Sequence, residues 1–325
     1  MSDDRRWGML LLGVLLSVGA LYFSLRDIDW AALGHTLLAV DPLRLLVCTL
    51  FIAAGICLRG WRWMVIAQQP DVPALTFARA VNLGIVGNQL LPGRVGELVR
   101  IFALLRLAPT GIAVALGSAV LDRAVDIAVL LLSALSLSMA MANRVIPRQW
   151  LVAMGVLALI LVAGFALAGS RGFAIWLGAL SARWLQRWPI RHESFLATFN
   201  AMTRGLCRRV PAISLLLAAV SVWLADYLAV TAALSCVGLD LPPEVPLLLW
   251  VSLAAGSALP SAPGFVGIYQ LAAIWSLSIY GVPEYQAIAV AFVLQGVTLL
   301  VSLALAGREI TKALKSGAGE GLRNT

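Results

Sequence analysis

Charge is scarce in this sequence. Only 12% of its 325 residues are Asp, Glu, Lys or Arg, whereas 61% are hydrophobic, a balance that excludes a soluble globular domain, whose surface needs about a quarter of all residues charged. Histidine is nearly absent. With His35 and His192 as the two copies, there is no HExxH motif, no histidine-rich metal cluster and little material for an imidazole-based triad. The four cysteines, Cys48, Cys57, Cys207 and Cys236, form no CxxC pair, and three lie inside apolar runs, where they read as small core residues. Lysine is confined to Lys312 and Lys315. Almost every cation is therefore arginine, which grips phosphate through two parallel hydrogen bonds and tolerates partial burial. A net charge of +8 would suggest nucleic acid in a soluble protein, but here the arginines act first as topology signals and headgroup contacts. Membrane lipids, with anionic headgroups, are the expected partners; nucleic acid is not, and no cofactor is expected.

What is abundant is apolar sequence long enough to cross a hydrocarbon layer of roughly 30 Å several times, at about 20 residues per crossing. Uncharged runs predict six spans: Trp7 to Leu25, Leu45 to about Ile66, Ile112 to Met141, Trp150 to Ala168, Ile213 to Leu239 and Ala287 to Ala306. The first follows Arg5 and Arg6 and imitates a signal peptide, yet it lacks a convincing small-residue cleavage site and reads as a retained span. Two further regions, Leu75 to Leu107 and Leu247 to Tyr280, are apolar but interrupted by a Pro-Gly step. The positive-inside rule puts both termini, Arg59, Arg62 and Arg79, and the segment Arg171 to Arg209 in the cytoplasm of a bacterial inner membrane, with the Asp27, Asp29, Asp41 loop and Asp240 and Glu244 outside. Only the short loop with Arg144 and Arg148 disagrees. If both interrupted regions were kinked spans, the arginine-rich segment would face outward, so charge bias favours two re-entrant hairpins entering from opposite sides. Irregular backbone at that depth must be buried in protein or line a wet cavity.

The interrupted regions also resemble each other. Asp71-Val72-Pro73 opens one and Glu244-Val245-Pro246 the other, and Pro92-Gly93-Arg94-Val95-Gly96 returns as Pro263-Gly264-Phe265-Val266-Gly267. The expected fold is an all-α polytopic membrane protein forming one transmembrane domain over residues 1–325. Repeat 1 covers about 45–141 with its hairpin at 75–107, and repeat 2 covers about 213–306 with its hairpin at 247–280, in inverted orientation. Inverted repeats with broken helices meeting near the midplane are a transporter architecture. Between them, Trp176, Trp184 and Trp188 alternate with Arg183, Arg187 and Arg191, predicting an interfacial cytoplasmic helix over 172–209.

Charges inside spans mark candidate sites. Asp122 and Asp126 are four apart and share a helix face, while Arg123 points to a neighbouring one. Either they lock helices together or they serve a substrate path. Asp226, a lone acid in the fifth span, needs a partner, for which Arg59 and Arg62 are the candidates. Around the first break, Asn88, Pro92, Gly93, Arg94, Glu97 and Arg100 cluster within a turn or two. Arg94 would take a phosphate oxygen, Glu97 would hold Arg94 or a proton, and Arg100 would take the opposite side or, with Arg106, merely mark the cytoplasmic surface. The second break replaces these charges by Ser257, Ser261, Pro263, Gly264, Phe265, Tyr269 and Gln270, a neutral, aromatic lining suited to a lipid tail or sugar.

Four motifs together resemble the flippase-like membrane family that includes the transmembrane region of lysylphosphatidylglycerol synthases: Arg59-x-x-Arg62-Trp63, Asn88-x-x-x-Pro92-Gly93-Arg94-x-Gly96-Glu97, Asp122-Arg123-x-x-Asp126 and Pro260-x-x-Pro263-Gly264-x-x-Gly267. The resemblance covers nearly the whole chain. It implies translocation of lipid or handling of a lipid-linked substrate, with the hairpin and Asp-Arg motifs along the path. The family often has Glu where Asp122 stands, a departure that keeps the charge. No aminoacyl-transferase domain is present before Thr325, so lipid aminoacylation by this chain alone is not expected. Three readings follow. The first is a flippase or scramblase for an anionic phospholipid or lipid-linked phosphate. The second is a non-transporting, lipid-binding accessory subunit of an envelope enzyme. The third, an intramembrane enzyme holding a metal through Glu97, Asp122 and Asp126, is disfavoured because no base and nucleophile pair is evident.

Overall fold

The computed structural model describes residues 28–91, 95–140, 212–257 and 262–321, with side chains to residue 307, and a few isolated positions besides. All elements in this part are helical: α1 Trp30–Leu38, α2 Pro42–Ala67, α3 Ala74–Leu90, α4 Gly96–Leu107, α5 Ile112–Ala140, α6 Ala212–Cys236, α7 Glu244–Gly256, α8 Ile268–Ser278 and α9 Glu284–Gly321. A short 3-10 turn at Pro263–Phe265 stands between α7 and α8. Three described stretches are long and apolar enough to cross a membrane: Pro42–Ala67, Ile213–Cys236 and Glu284–Gly307. The predicted span at Ile112 to Met141 is a continuous helix, α5, interrupted in polarity by Asp122, Arg123 and Asp126. The predicted spans at Trp7 to Leu25 and Trp150 to Ala168, and the interfacial helix over 172–209, lie outside the described residues.

Helix starts follow local chemistry. The Asp41 carboxylate accepts from the amides of Leu43 and Arg44 at 2.8 and 3.3 Å, while Pro42, which has no amide to waste, occupies the first turn of α2. Asp29 caps α1 in the same way, on Ala31 and Ala32. This helix was not expected, since its nine residues were read as part of an extracellular loop. It is anchored by Leu33, which packs with Ile288 and Ala289 of α9.

Both interrupted regions break where expected. α3 and α4 fold back on each other as an antiparallel pair: Gly84 lies against Arg100, Gly87 against Val99, and Asn88 against Gly96. Glycine permits this approach, because a Cβ at Gly96 would overlap the Gly84 carbonyl and the Asn88 side chain. In the second region, α7 and α8 pack together around a turn in which Gly264, Phe265 and Gly267 all have positive φ, at 68°, 58° and 87°. The two regions touch at their tips, where Gln89 lies against Gly264.

The longest contact joins α2 to α6. Arg44 donates to the Ser235 carbonyl, Cys48 to the Ala229 carbonyl, and Arg59 pairs with Asp226, so residue numbers fall on one helix as they rise on the other and the pair is antiparallel. Two apolar cores flank it. One is built on Trp63, Phe77 and Leu104 around the first hairpin, the other on Leu234, Leu249, Leu253 and Leu277 around the second. α9 ties both together: its Ser302 carbonyl accepts from Asn82 and its Gln295 amide donates to the Gly264 carbonyl.

The crossing of α2 over α3 is also close, since a Cβ at Gly60 would overlap the backbone of Ala78. Backbone cannot rotate away. Gly60→Ala is therefore expected to cost about 1–3 kcal/mol, whereas Gly296→Ala, at a position with nothing within 4 Å, should be neutral or better. Thermal unfolding of the purified variants in detergent measures both; equal midpoints would contradict this crossing.

Candidate functional site

Where α2, α4 and α5 converge, three arginines and three carboxylates alternate in a closed ring. Arg62 holds Asp122 through Nε and Nη2 at 2.9 Å. The other Asp122 oxygen accepts from Arg100 Nη1 at 2.9 Å, and Arg100 Nε faces Glu97 at 2.9 Å. Glu97 also faces Arg123 at 3.4 Å, Arg123 pairs with Asp126 at 3.0 Å, and Asp126 returns to Arg62 at 2.7 Å. Formal charge around the ring sums to zero. Its inner members, Arg62, Arg100 and Asp122, are buried, and its outer members, Glu97, Arg123 and Asp126, are partly exposed. Trp63 completes the inner side, with its indole N–H donating to Ser118 Oγ at 2.9 Å and its ring under the Arg100 guanidinium at 4.9 Å.

A separate pair, Arg59 Nη2 to Asp226 Oδ2 at 2.6 Å, bridges α2 and α6. Arg59 is thus the partner that the sequence left undecided for Asp226. Gly55 makes room for it: a Cβ there would lie 3.0 Å from Arg59 Nη1.

The ring and this pair face a cavity of about 590 Å³. Of the candidate residues, Arg59, Asn88, Glu97, Arg100, Arg123, Asp126, Asp226, Ser257, Phe265 and Tyr269 line it. Arg62 and Asp122 lie behind the ring's exposed members. Gln270 is buried and braces the second hairpin instead, its side chain accepting from the Gly267 amide and donating to Gln295. Gly264 contributes its carbonyl to the same brace through Gln295, and Pro263 opens the turn. Pro92, Gly93 and Arg94 lie outside the described residues, as does Ser261.

Three expectations need correction. Arg62, put on the cytoplasmic side by charge bias and offered as a partner for Asp226, is 0% exposed and pairs with Asp122 and Asp126 instead. Arg100 is neither a surface marker nor an open phosphate clamp; both its edges are taken by carboxylates. Arg123 does not point away from the acidic face, since its length lets it turn back to Asp126 one turn on and reach Glu97. Glu97 itself holds Arg100 and Arg123. Among the described residues no group of His, Cys, Asp and Glu gathers as metal ligands, and each carboxylate proposed for that role is engaged by arginine.

The sequence reading passed over Trp223, Trp250, Gln89, Gln295 and Thr298, which also line the cavity. A signal existed for two of them: Gln295 and Thr298 are polar and three apart within the apolar stretch 287–301 of α9, hence on one face.

These motifs, now seen as one ring and one hairpin, lie within a match to a known family. The model for the lysylphosphatidylglycerol synthase TM region matches residues 10–306. The chain belongs to this family. No curated protein matches it. Membership, together with helices able to cross a bilayer, makes this lysylphosphatidylglycerol synthase TM region protein a multi-pass α-helical membrane protein of a lipid-related family.

Removing one acid from the inner ring leaves two buried guanidinium groups short of a counter-charge. Asp122→Asn is expected to cost about 3–5 kcal/mol. Asp226→Asn, in a pair that the cavity keeps partly accessible, should cost under about 2 kcal/mol. Unfolding midpoints of the two variants check the order; a milder Asp122 variant would mean that the ring does not hold the helices.

Proposed function

We propose that this chain handles an anionic phospholipid or a lipid-linked phosphate through the cavity, as a flippase-like transporter whose substrate headgroup enters while its tails stay in the bilayer. The observation that carries this reading is the cavity's position and composition. A volume of about 590 Å³ falls within the roughly 300–1,000 Å³ range of ligand pockets: room for a headgroup and not for two acyl chains. Its wall presents Arg59 and Arg123, 30% and 41% exposed, held in place by carboxylates. A phosphate entering here would meet oriented guanidinium groups with their bidentate geometry. Arg94, next to this wall in sequence, would add a further cation.

The architecture supports movement as well as binding. α2 and α6 each precede a broken hairpin and pack antiparallel, and the hairpin tips meet. Both features support two inverted repeats, with six crossings and two re-entrant hairpins. Charge bias supports a bacterial inner-membrane location with both termini cytoplasmic. In this reading the chain moves lipid without covalent chemistry. The complete charge pairing around the ring favours a second reading, in which the same cavity holds lipid for an envelope enzyme without moving it.

Fluorescent-lipid translocation in proteoliposomes tests this. Wild-type protein should accelerate flipping of an anionic phospholipid, and Arg123→Ala or Arg94→Ala should slow it about ten- to a hundredfold, the loss of one charge-assisted hydrogen bond; Glu97→Gln should alter the rate as well. Unchanged rates in all three variants would exclude this site. Rates no faster than protein-free vesicles, from protein that still retains lipid on purification, would select the second reading.

A further inference from the structure

Charge at the site is balanced one for one. Among the described residues, the arginines of the ring and of the α2–α6 pair meet carboxylates in equal number. One anion added to this wall leaves one negative charge in excess. In a chamber of low dielectric that excess is poorly screened and therefore costly, so something must arrive with the anion to cancel it.

The partners of each carboxylate say where. Asp122 is held by Arg62 and Arg100, Asp126 by Arg62 and Arg123, and Glu97 by Arg100 and Arg123. Each keeps one arginine when the other is drawn to an incoming anion. Asp226 has Arg59 at 2.6 Å and no second ion-pair partner among the described residues. The elements packed against α6 offer no replacement. On α2, Arg62 is spent on Asp122 and Asp126, and on α5, Arg123 already serves Glu97 and Asp126. α7 and α9 line the cavity with neutral residues only, and on α6 itself the Tyr227 hydroxyl donates to the Pro243 carbonyl. The other acid near Arg59 is Asp126, which adds repulsion and no cation.

Asp226 is also a place that a proton can reach. Its side chain is 20% exposed and lines the cavity beside Arg59, whereas Asp122 is closed off behind the ring. A partly dehydrated carboxylate that loses its guanidinium partner favours its neutral form.

We infer that Asp226 is a proton site coupled to anion binding at Arg59. A phosphate oxygen replaces Asp226 on the Arg59 guanidinium, and the released carboxylate takes one proton from a hydronium ion of the cavity water, forming its O–H bond and leaving neutral water. One negative charge and one proton enter together, and the wall is balanced again. Departure of the anion reverses both steps, so a chain that moves the anion moves a proton in the same direction. The inference rests on the proposed lipid-handling reading and adds its coupling ion. The chemistry required of the ligand is a singly charged phosphate ester, whether carried by a lipid or free in water.

The experiment counts protons. Purified full-length protein in detergent is titrated calorimetrically with phosphatidylglycerol, whose negative charge does not titrate near neutrality, in buffers of different ionisation enthalpy. Wild type should take up about one proton per lipid bound, and its affinity should rise about tenfold for each pH unit lowered across the neutral range. Asp226→Asn, neutral at every pH, should take up none and bind with a flat pH profile at the affinity that wild type reaches in acid. Asp226→Glu should restore the uptake. A merely structural Asp226 would leave the proton count of both variants at that of wild type, which would overturn the assignment. Dimethyl phosphate identifies the source: uptake as large as with the lipid would uphold the coupling and assign it to a soluble phosphate ester. Lipid binding by wild type without proton uptake overturns the coupling alone, and gives the balancing charge to a cation outside the described residues such as Arg94. Failure of the lipid to bind at any pH overturns the lipid-handling reading, and the coupling with it.

Discussion

An ionised side chain withdrawn from water is tolerated where an opposite charge meets it, and the described part of this chain carries eight such groups, six in a ring and two in a pair. Arg62, Asp122, Arg100, Glu97, Arg123 and Asp126 close a ring; Arg59 and Asp226 form a pair. The cost of burying even one unpaired would reach several kcal/mol, comparable with a domain's entire net stability. The ring therefore dictates how the helices meet. Arg62 and Asp122 set the rotation of α2 against α5, and Arg100 brings the second arm of the first hairpin to the same point. Close packing then follows, with Gly60 admitting α3 against α2 and Gly84, Gly87 and Gly96 admitting α4 against α3.

The same constraint shapes the cavity. Charges that point inward are spent on one another, which leaves Glu97, Arg123 and Asp126 as the ring's water-accessible edge. Opposite them the second hairpin carries no charge at all. Its turn is held by Gln270 and Gln295 instead, neutral groups that can saturate a backbone carbonyl without the desolvation cost of an ion pair. Two hairpins of related sequence thus line the cavity with different chemistry, the first with Glu97 and Arg100, the second with Ser257, Phe265 and Tyr269.

Much of this was legible in the sequence, for identifiable reasons. Helix extents at α2, α5 and α6 are set by long apolar runs bounded by Asp41, Gly111 and Gly238, and the breaks by a Pro-Gly step that no helix continues through. The partner of Asp226 could be narrowed to Arg59 and Arg62 because charges in the facing span were few. The ring could not be read in the same way. Which arginine meets which carboxylate depends on helix rotation and on side chains long enough to reach across more than one turn, so Arg123 turned back to an acid on its own helix, Arg62 was offered to Asp226, and Arg100 was left between a phosphate contact and a surface marker. α1 escaped because its signal is one capping Asp29 and one buried Leu33. Trp223 and Trp250 escaped because a tryptophan in an apolar run looks alike whether it faces lipid, core or cavity.

A fully paired ring bears on how a phosphate would be handled. A cluster of bare arginines in a low-dielectric chamber would bind phosphate so strongly that release would become the slow step, and carriers and channels alike need binding weak enough to leave. An arginine already holding a carboxylate presents a different balance. Phosphate entering at Arg123 or Arg59 replaces one anionic partner by another, so its net gain is the difference between two ion pairs rather than the whole of one. The carboxylate set free must in turn find a proton, water or a neighbouring arginine, and the ring supplies such a neighbour at Glu97 and Asp126, each already shared between two arginines. Asp226 has only Arg59 among the described residues. Exchange at that pair would loosen the ionic tie between α2 and α6, whereas exchange at Arg123 would leave α2 and α5 tied by Arg62 and Asp122. Of Arg59 and Arg123, Arg59 is thus the one whose occupation would be felt by both α2 and α6.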